Sequence, residues 1–162
     1  MRMKILFLYS KLSAKRYKSK TILQGNDFNY VAVHCNLAPY ELVWEIAREA
    51  NIQFVCEPMP FVYNQHTAPS QHVLYFYSGD EHLPKTWLIQ NHGSTGVLTI
   101  SKPPVDYWMV WEGDIEYDLG DFWISLLKDK GLAQMAYLYP QEQSNKIIWG
   151  FDLPYLIPNN NV

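Results

Sequence analysis

Asp106 is the residue in this chain whose type and neighbours are best suited to chemistry. It lies in residues 105–112, VDYWMVWE, a run of large apolar side chains that begins directly after Pro103-Pro104. A carboxylate in an apolar wall has a raised pKa and can serve as a general acid or base. The same carboxylate can instead accept backbone N–H bonds at the proline corner, an ordinary use of Asp in turns. The sequence leaves both roles open.

Three further polar residues are candidates for binding a ligand together with Asp106. Asn91 and His92 follow a predicted strand and precede Gly-Ser-Thr-Gly at 93–96, so we expect them on an exposed loop. Glu112 ends the segment in which Asp106 lies. The turn at 93–96 is not a phosphate-binding loop, because it lacks a following Gly-Lys-Ser/Thr and leads into a strand.

The spacing of the other reactive residue types gives no metal or catalytic motif. The five histidines form no His-Glu-x-x-His or His-x-His pattern. Acidic residues crowd 112–121, but their spacing misses the calcium-loop pattern and suits the positive end of a helix dipole. His34 and Cys35 are neighbours in a predicted strand, so their side chains point to opposite faces. We therefore assign no catalytic residue, no metal site and no cofactor.

The elements that would position these residues are short strands and two amphipathic helices. The helices are predicted at 40–50 and 117–130, each with an apolar stripe. Pro58 and Pro60 make the strands around them irregular, and 64–70 is expected to be a loop. The predicted strands, in chain order, are 28–35, 53–55, 61–63, 72–77, 85–90, 97–100, 105–112 and 132–139.

This order predicts an α+β fold, a two-layer sandwich in which two helices cover one face of a mostly antiparallel sheet of about five to seven strands. The other face would lack a helix cover, and the 6 Trp, 12 Tyr and 7 Phe residues would pave it or form a dimer interface. One domain is expected at 21–155, because 162 residues are too few for two ordinary domains.

Charge divides the chain into a basic arm and an acidic body. Residues 1–20 hold seven of the 13 basic residues and no acidic one, whereas residues 21–162 hold six basic and all 16 acidic residues. Such an arm is typical of proteins that bind nucleic acid, although a solvated tail or an upstream start codon also explains it. An acidic body repels phosphate, so nucleic acid would engage the arm. Residues 156–162 form a polar tail.

The sequence carries no signal of secretion or membrane insertion. The first apolar run, at 5–9, is too short for a signal peptide, and no small-residue cleavage site follows it. No segment approaches the roughly 20 apolar residues that span a membrane. Cys35 and Cys56 lie in apolar sequence and are expected to be reduced core residues. These features predict a cytoplasmic protein.

Three segments resemble one family of bacterial proteins. They are VAVHCNLAPYELVWEIAREANI at 31–52, WLIQNHGSTG at 87–96 and VDYWMVWEGD at 105–114. Together with SNKIIW near the end, they look like the IPExxxVDY proteins, small uncharacterised proteins of Bacteroidetes-type bacteria. Val105-Asp106-Tyr107 matches that motif, but Ser101-Lys102 stands where the family has Pro-Glu, and the spacing is one residue shorter. The resemblance implies no reaction, ligand or cofactor.

The expected function is that of a non-enzymatic interaction or regulatory module, which binds an unknown protein partner or forms a homodimer through the aromatic sheet face. Trp and Tyr are enriched at binding hot spots. The alternative is a small-molecule-binding protein or enzyme that uses Asp106 with Asn91, His92 or Glu112 in a pocket over the sheet. A further alternative is an RNA- or ribosome-associated protein that acts through residues 1–20.

Overall fold

The computed structural model describes residues 28–56, 61–65, 68–113 and 117–144. Strands predominate in this part of the chain, and two longer helices interrupt them. The elements, in chain order, are β1 Phe28–His34, α1 Pro39–Ala50, β2 Val55–Cys56, β3 Phe61–Gln65, β4 Ala68–His72, β5 Leu74–Tyr77, β6 Thr86–Gln90, β7 Tyr107–Glu112, α2 Tyr117–Asp129, β8 Met135–Leu138 and α3 Gln141–Ser144.

Six of the strands form one sheet, in the order β2-β5-β6-β7-β1-β8. Every neighbouring pair in it is antiparallel. The remaining strands, β3 and β4, pair with each other as a separate hairpin. The central strands are apolar on both faces, as expected for strands covered on both sides, and every residue of β1 is buried.

Strand β7 illustrates how the sequence divides its side chains between the two faces. Because successive strand residues point in opposite directions, alternate side chains enter separate core clusters. Those facing the helices are Tyr107, Met109 and Trp111, and those facing away are Trp108 and Val110. The alternation expected of a strand therefore holds for these five residues. Val105 departs from it and packs on the side of Trp108 and Val110, because the strand begins only at Tyr107 and the backbone before it is irregular.

Both longer helices cover the same face of the sheet. Their buried side chains share one cluster, to which α1 contributes Leu42, Val43, Ile46 and Ala50, and α2 contributes Leu119, Trp123 and Leu127. The N–H of Ala38 donates to Oε2 of Glu41 at 3.0 Å where α1 begins, and Asn51 ends α1 in the left-handed conformation with φ 55°. The predicted α+β class, with two helices on one face of an antiparallel sheet, is confirmed.

The opposite face of the sheet is buried as well, contrary to the expectation of an open aromatic surface. Five aromatic side chains on this face are at most 7% exposed, namely Phe28, Tyr30, Phe76, Trp87 and Trp108. Leu98 and Val105, from the connection between β6 and β7, pack into the same cluster. These aromatic rings therefore stabilise the core and do not offer a dimer interface.

Two connections differ from the predicted assignments. Residues 64–70 were expected to be a loop, yet the hairpin of β3 and β4 includes Gln65 paired with Ala68. Residues 97–100 were expected to be a strand, yet they contribute only one isolated bridge, between His92 and Val97. Residues 97–100 form no regular strand because the side chain of Asn91 bonds both the N–H and the carbonyl oxygen of Thr99, which a partner strand would otherwise have bonded.

The remaining sequence predictions have mixed outcomes. Cys35 is a buried free thiol as expected, but Cys56 is exposed, because it lies in the two-residue edge strand β2. Within the described residues, no helix is long and apolar enough to cross a membrane. The predicted basic arm at 1–20 and the polar tail at 156–162 lie outside the described residues.

Candidate functional site

Three of the four predicted site residues meet at one edge of the sheet. Because β6, β7 and β1 are antiparallel neighbours, the end of β6 and the end of β1 lie beside the start of β7. This arrangement places Asn91 next to Asp106, and the N–H of Asn91 donates to the carbonyl oxygen of Asp106 at 2.8 Å. His92 follows on the same loop and faces the Asp106 carboxylate.

Glu112 does not belong to this site. It ends β7 at the other edge of the sheet, opposite Phe28, about 20 Å from Asp106 along the extended strand. Its carboxylate Oε2 lies 3.8 Å from the Lys85 ammonium, and both side chains are close to half exposed. The prediction grouped Glu112 with Asp106 because both lie in residues 105–112, but residues at opposite ends of an extended segment do not come together.

Asn91 is a buried structural hub. Its side-chain amide donates to the carbonyl oxygens of Thr99 at 3.1 Å and Val105 at 2.8 Å. Its Oδ1 accepts the N–H of Thr99 at 2.9 Å and the indole N–H of Trp108 at 3.0 Å. An amide has two donors and two acceptor positions, so these four bonds use its whole capacity. With 1% exposure and no donor or acceptor position left over, Asn91 is built to hold the β6–β7 connection on the sheet and not to bind a ligand.

Asp106 joins two neighbouring strands through its carboxylate. Oδ2 accepts the N–H of Cys35 at 2.9 Å, directly after β1 ends, while the backbone N–H of Asp106 donates to the carbonyl oxygen of Val33 at 3.0 Å. The hydrogen-bonding role that the sequence suggested is therefore present, but the donor comes from β1 and not from the proline corner. The corner is held by Ser101, whose Oγ accepts the N–H of Val105 at 3.2 Å.

The other oxygen of the Asp106 carboxylate faces a histidine at the surface. Nε2 of His92 lies 3.7 Å from Oδ1 of Asp106, and the two side chains are 48% and 36% exposed. This distance suits an ion pair when the imidazole is protonated, but it exceeds a hydrogen bond. The pair is an exposed patch of polar groups that a partner molecule can reach.

Cys35 and Tyr107 lie beside this carboxylate, and neither is prepared for nucleophilic chemistry. Burial raises the pKa of the Cys35 thiol, and the charges of Asp106 and Glu41 raise it further, although the N–H of Leu37 bonded to Sγ lowers it. Burial, with nearby negative charge, raises the pKa of Tyr107 to about 12. Since the reactive form of cysteine is the thiolate, a raised pKa keeps this thiol unreactive at neutral pH. The Tyr107 hydroxyl instead donates to the carbonyl oxygen of Leu37 at 2.6 Å.

The described residues also give no cluster that would hold a metal. Among them, no group of three or more His, Cys, Asp or Glu side chains converges on one point. His34 and Cys35 point to opposite faces as predicted. Cys35 packs in the cluster on the helix side, whereas the His34 ring stacks on Tyr137 with centroids 5.7 Å apart.

A surface feature that the sequence analysis did not single out lies on the solvent side of α1. Tyr40 and Trp44 are 65% and 59% exposed, although large aromatic side chains are elsewhere mostly buried. Arg48 continues the row, and its guanidinium carbon lies 4.8 Å from the centroid of the Trp44 ring. We call these three residues the α1 ridge. The spacing of four residues, on the side opposite the apolar stripe, is the signal that would have found it.

No protein-family model matches the chain, and no curated protein or solved structure matches it either. The resemblance to the IPExxxVDY proteins therefore stays a prediction from the sequence.

Proposed function

We propose that this protein is a non-enzymatic protein-interaction module and that the α1 ridge is its contact surface. The observation that carries the proposal is the exposure of Tyr40 and Trp44 in one row with Arg48. Tyr, Trp and Arg are the three residue types most enriched at the energetic centres of protein interfaces. All three stand in succession, one helical turn apart.

The ridge is also prepared for binding by the contacts of Arg48. Its guanidinium stacks on the Trp44 ring and forms ion pairs with Glu45 and with Glu49, the latter at 3.2 Å. Glu49 in turn lies 2.8 Å from the Lys130 ammonium, which follows α2. Side chains held in this way lose less conformational entropy when a partner covers them. The ridge therefore combines exposed aromatic area with a restricted geometry.

The alternatives have less support in the described residues. A small-molecule site would draw on Asp106, but the amide of Asn91 is fully bonded and Glu112 is remote. What remains is the exposed His92–Asp106 pair, and among the described residues no third His, Cys, Asp or Glu side chain forms a metal-binding group with it. Binding of RNA through residues 1–20 concerns a segment outside the described residues, so it enters only as an outcome of the experiment.

Site-specific photo-crosslinking in the source cells tests the proposal. A benzoylphenylalanine at position 40 keeps an aromatic ring on the ridge, and the same group at Ile100, which is 84% exposed, serves as the matched control. We expect a discrete, nuclease-resistant protein adduct from position 40 and none from position 100. Adding Trp44→Ala should remove that adduct while leaving the thermal midpoint within a few degrees, because surface changes alter stability by about 0.5 kcal/mol or less.

Three results would count against the proposal. One is the absence of any adduct from position 40, and another is the same set of adducts from both positions. An adduct that disappears on nuclease treatment would instead support the nucleic-acid alternative.

A further inference from the structure

The surroundings of the α1 ridge indicate what kind of partner it takes, and this inference rests on the proposed function. Glu41 is exposed beside Tyr40, and the Tyr40 hydroxyl lies 3.4 Å from its Oε1. Glu45 and Glu49 form ion pairs with Arg48, but Glu41 takes part in none of the ion pairs among the described residues. The first turn of α1 therefore carries a carboxylate that caps the helix but, among the described residues, pairs with no cationic side chain, and this carboxylate lies next to an exposed ring.

A second carboxylate adds to the negative potential at this end of the molecule. Oδ2 of Asp106 accepts the N–H of Cys35 at 2.9 Å, and three residues later the N–H of Ala38 donates to Oε2 of Glu41 at 3.0 Å, so both carboxylates bond the short link between β1 and α1. The only ion-pairing partner of Asp106 among the described residues is His92, at 3.7 Å. The edge of the sheet that holds Asp106 therefore lies at the entry to α1, where the α1 ridge begins.

The charge of the whole body has the same sign. Residues 21–162 hold ten more acidic than basic residues. Such a field accelerates the approach of a positively charged partner and repels a second copy of the same body. It also argues against an acidic peptide or a phosphate group as the bound species.

We propose that the face formed by Tyr40, Glu41 and Trp44, with Asp106 beside it, binds a lysine- and arginine-rich segment of a partner protein. The carboxylates would receive the ammonium and guanidinium groups, and the two rings would pack against the apolar stems and the cations themselves. Arg48, stacked on the Trp44 ring at 4.8 Å, is an example of this contact within the chain. Recognition would be by charge and ring stacking, without a requirement for a folded partner.

Fluorescence anisotropy with the full-length protein tests this partner class. The probe is a fluorescein-labelled peptide of alternating lysine and alanine, and its control has glutamine at every lysine position. We expect the lysine peptide to bind, the glutamine peptide not to bind, and the affinity to fall as salt is raised. Trp44→Ala should weaken binding roughly tenfold, as expected for a hot-spot residue. Glu41→Gln should weaken it roughly threefold or more through the lost charge.

The matched control is Glu81→Gln, since Glu81 is 83% exposed on a loop outside the ridge and the substitution makes the same change of charge. Glutamine at position 41 still accepts the N–H of Ala38, so α1 keeps its cap. Equal weakening by E41Q and E81Q would place the peptide elsewhere on the acidic body and overturn the inference. If the lysine peptide fails to bind while position 40 still crosslinks in cells, the partner class is wrong but the interaction module stands. Loss of the crosslink as well would overturn both.

Discussion

At the scale of single residues, Asn91 and Asp106 show how polar groups near the site are used for structure. Asn91 directs two donors and two acceptor positions at Thr99, Val105 and Trp108. Asp106 gives one carboxylate oxygen to the N–H of Cys35 and leaves the other near His92. The side chain of Asn91 therefore has no donor or acceptor position left to bind a ligand, whereas only one of the two carboxylate oxygens of Asp106 is used to hold the fold.

Replacing Asn91 by alanine should destabilise the protein by about 3 kcal/mol. The change leaves the indole N–H of Trp108 and the carbonyl oxygen of Val105 buried without their partner, and each such group costs about 1–3 kcal/mol. Urea denaturation followed by tryptophan fluorescence measures the difference. His92→Ala, next in the chain but half exposed, should change the free energy of unfolding by about 0.5 kcal/mol or less. A stable Asn91→Ala variant would contradict the role of Asn91 as a hub.

Two substitutions at Asp106 separate its structural role from a role in binding. Asparagine keeps an oxygen that accepts the N–H of Cys35, so Asp106→Asn should lose well under 1 kcal/mol of stability. Alanine removes that acceptor, and Asp106→Ala should lose about 1–2 kcal/mol. If both variants were equally unstable, the charge and not the hydrogen bond would be what the fold requires. Because the charge is lost in both, peptide binding to the α1 ridge should weaken in both.

At the scale of elements, the turn at 93–96 is held by the hairpin that precedes it. The N–H of Gln71 donates to Oγ of Ser94, the N–H of Ser94 donates back to the carbonyl oxygen of Gln71, and the hydroxyl of Thr95 donates to that of Pro69. Strand β4 thus positions the loop that carries His92. Position 93 requires glycine, because a Cβ there would lie 2.6 Å from Cε1 of His72 and 2.2 Å from Oγ of Ser70.

Gly93→Ala and Gly96→Ala form a matched pair within this one turn. The added methyl group at position 93 must displace the buried His72 ring, and overpacking of this kind destabilises by about 1–3 kcal/mol. At position 96 the methyl group meets nothing within 4 Å, so stability should stay unchanged or rise slightly. Thermal unfolding of the two variants beside the parent protein gives the comparison. Equal effects at both positions would show that the side chains of His72 and Ser70 move aside for the added methyl group at little cost in stability.

The same region shows which parts of the fold can be predicted from sequence. The sequence predicts β1, β7 and α1 because their apolar residues recur with the period of a strand or of a helix. Such a pattern is visible in the sequence because whether one face or both faces are buried depends on residue type alone. The irregular path of 97–100 depends on Asn91 bonding Thr99, and the hairpin of β3 and β4 depends on pairing that includes Asn64 opposite Pro69. Such contacts between specific groups leave no periodic signal. The candidate site was predicted only in part for the same reason. The sequence identified Asn91, His92 and Asp106, which lie together at one edge of the sheet. The distance between Asp106 and Glu112 and the exposure of the α1 ridge become apparent only in the packed structure.

At the scale of the whole molecule, both faces of the sheet belong to the hydrophobic core. Both carry buried aromatic clusters, and the helices cover one of them. Among the described residues, the most exposed aromatic rings are those of Tyr40 and Trp44 on the outer side of α1, and most of the other described aromatic side chains contribute to the core. In the proposed mode of binding, the acidic body contributes a long-range field, while recognition depends on the few residues of the α1 ridge and its neighbouring carboxylates. Raising the salt concentration should therefore lower the rate of peptide association by a larger factor than it raises the rate of dissociation.

The buried His72 makes the stability of the whole domain sensitive to acid. Burial lowers the pKa of His72 below its ordinary value of 6.5, the carbonyl oxygen of Gln90 at 2.9 Å from Nδ1 raises it, and the charge of His92 lowers it again. The native state thus favours the neutral ring, so this contribution to stability is complete above pH 6.5 and is lost as the pH falls through the folded-state pKa. One such group changes the free energy of unfolding by at most about 1.4 kcal/mol per pH unit. Urea denaturation between pH 7.5 and pH 5 should show this decline, and His72→Asn, which keeps a donor for Gln90, should have a flatter profile even if it is less stable throughout. If the free energy of unfolding of that variant changed with pH as steeply as that of the parent protein, the acid sensitivity would arise at other groups. The close packing of Gly93 on the His72 ring would then have a structural role only.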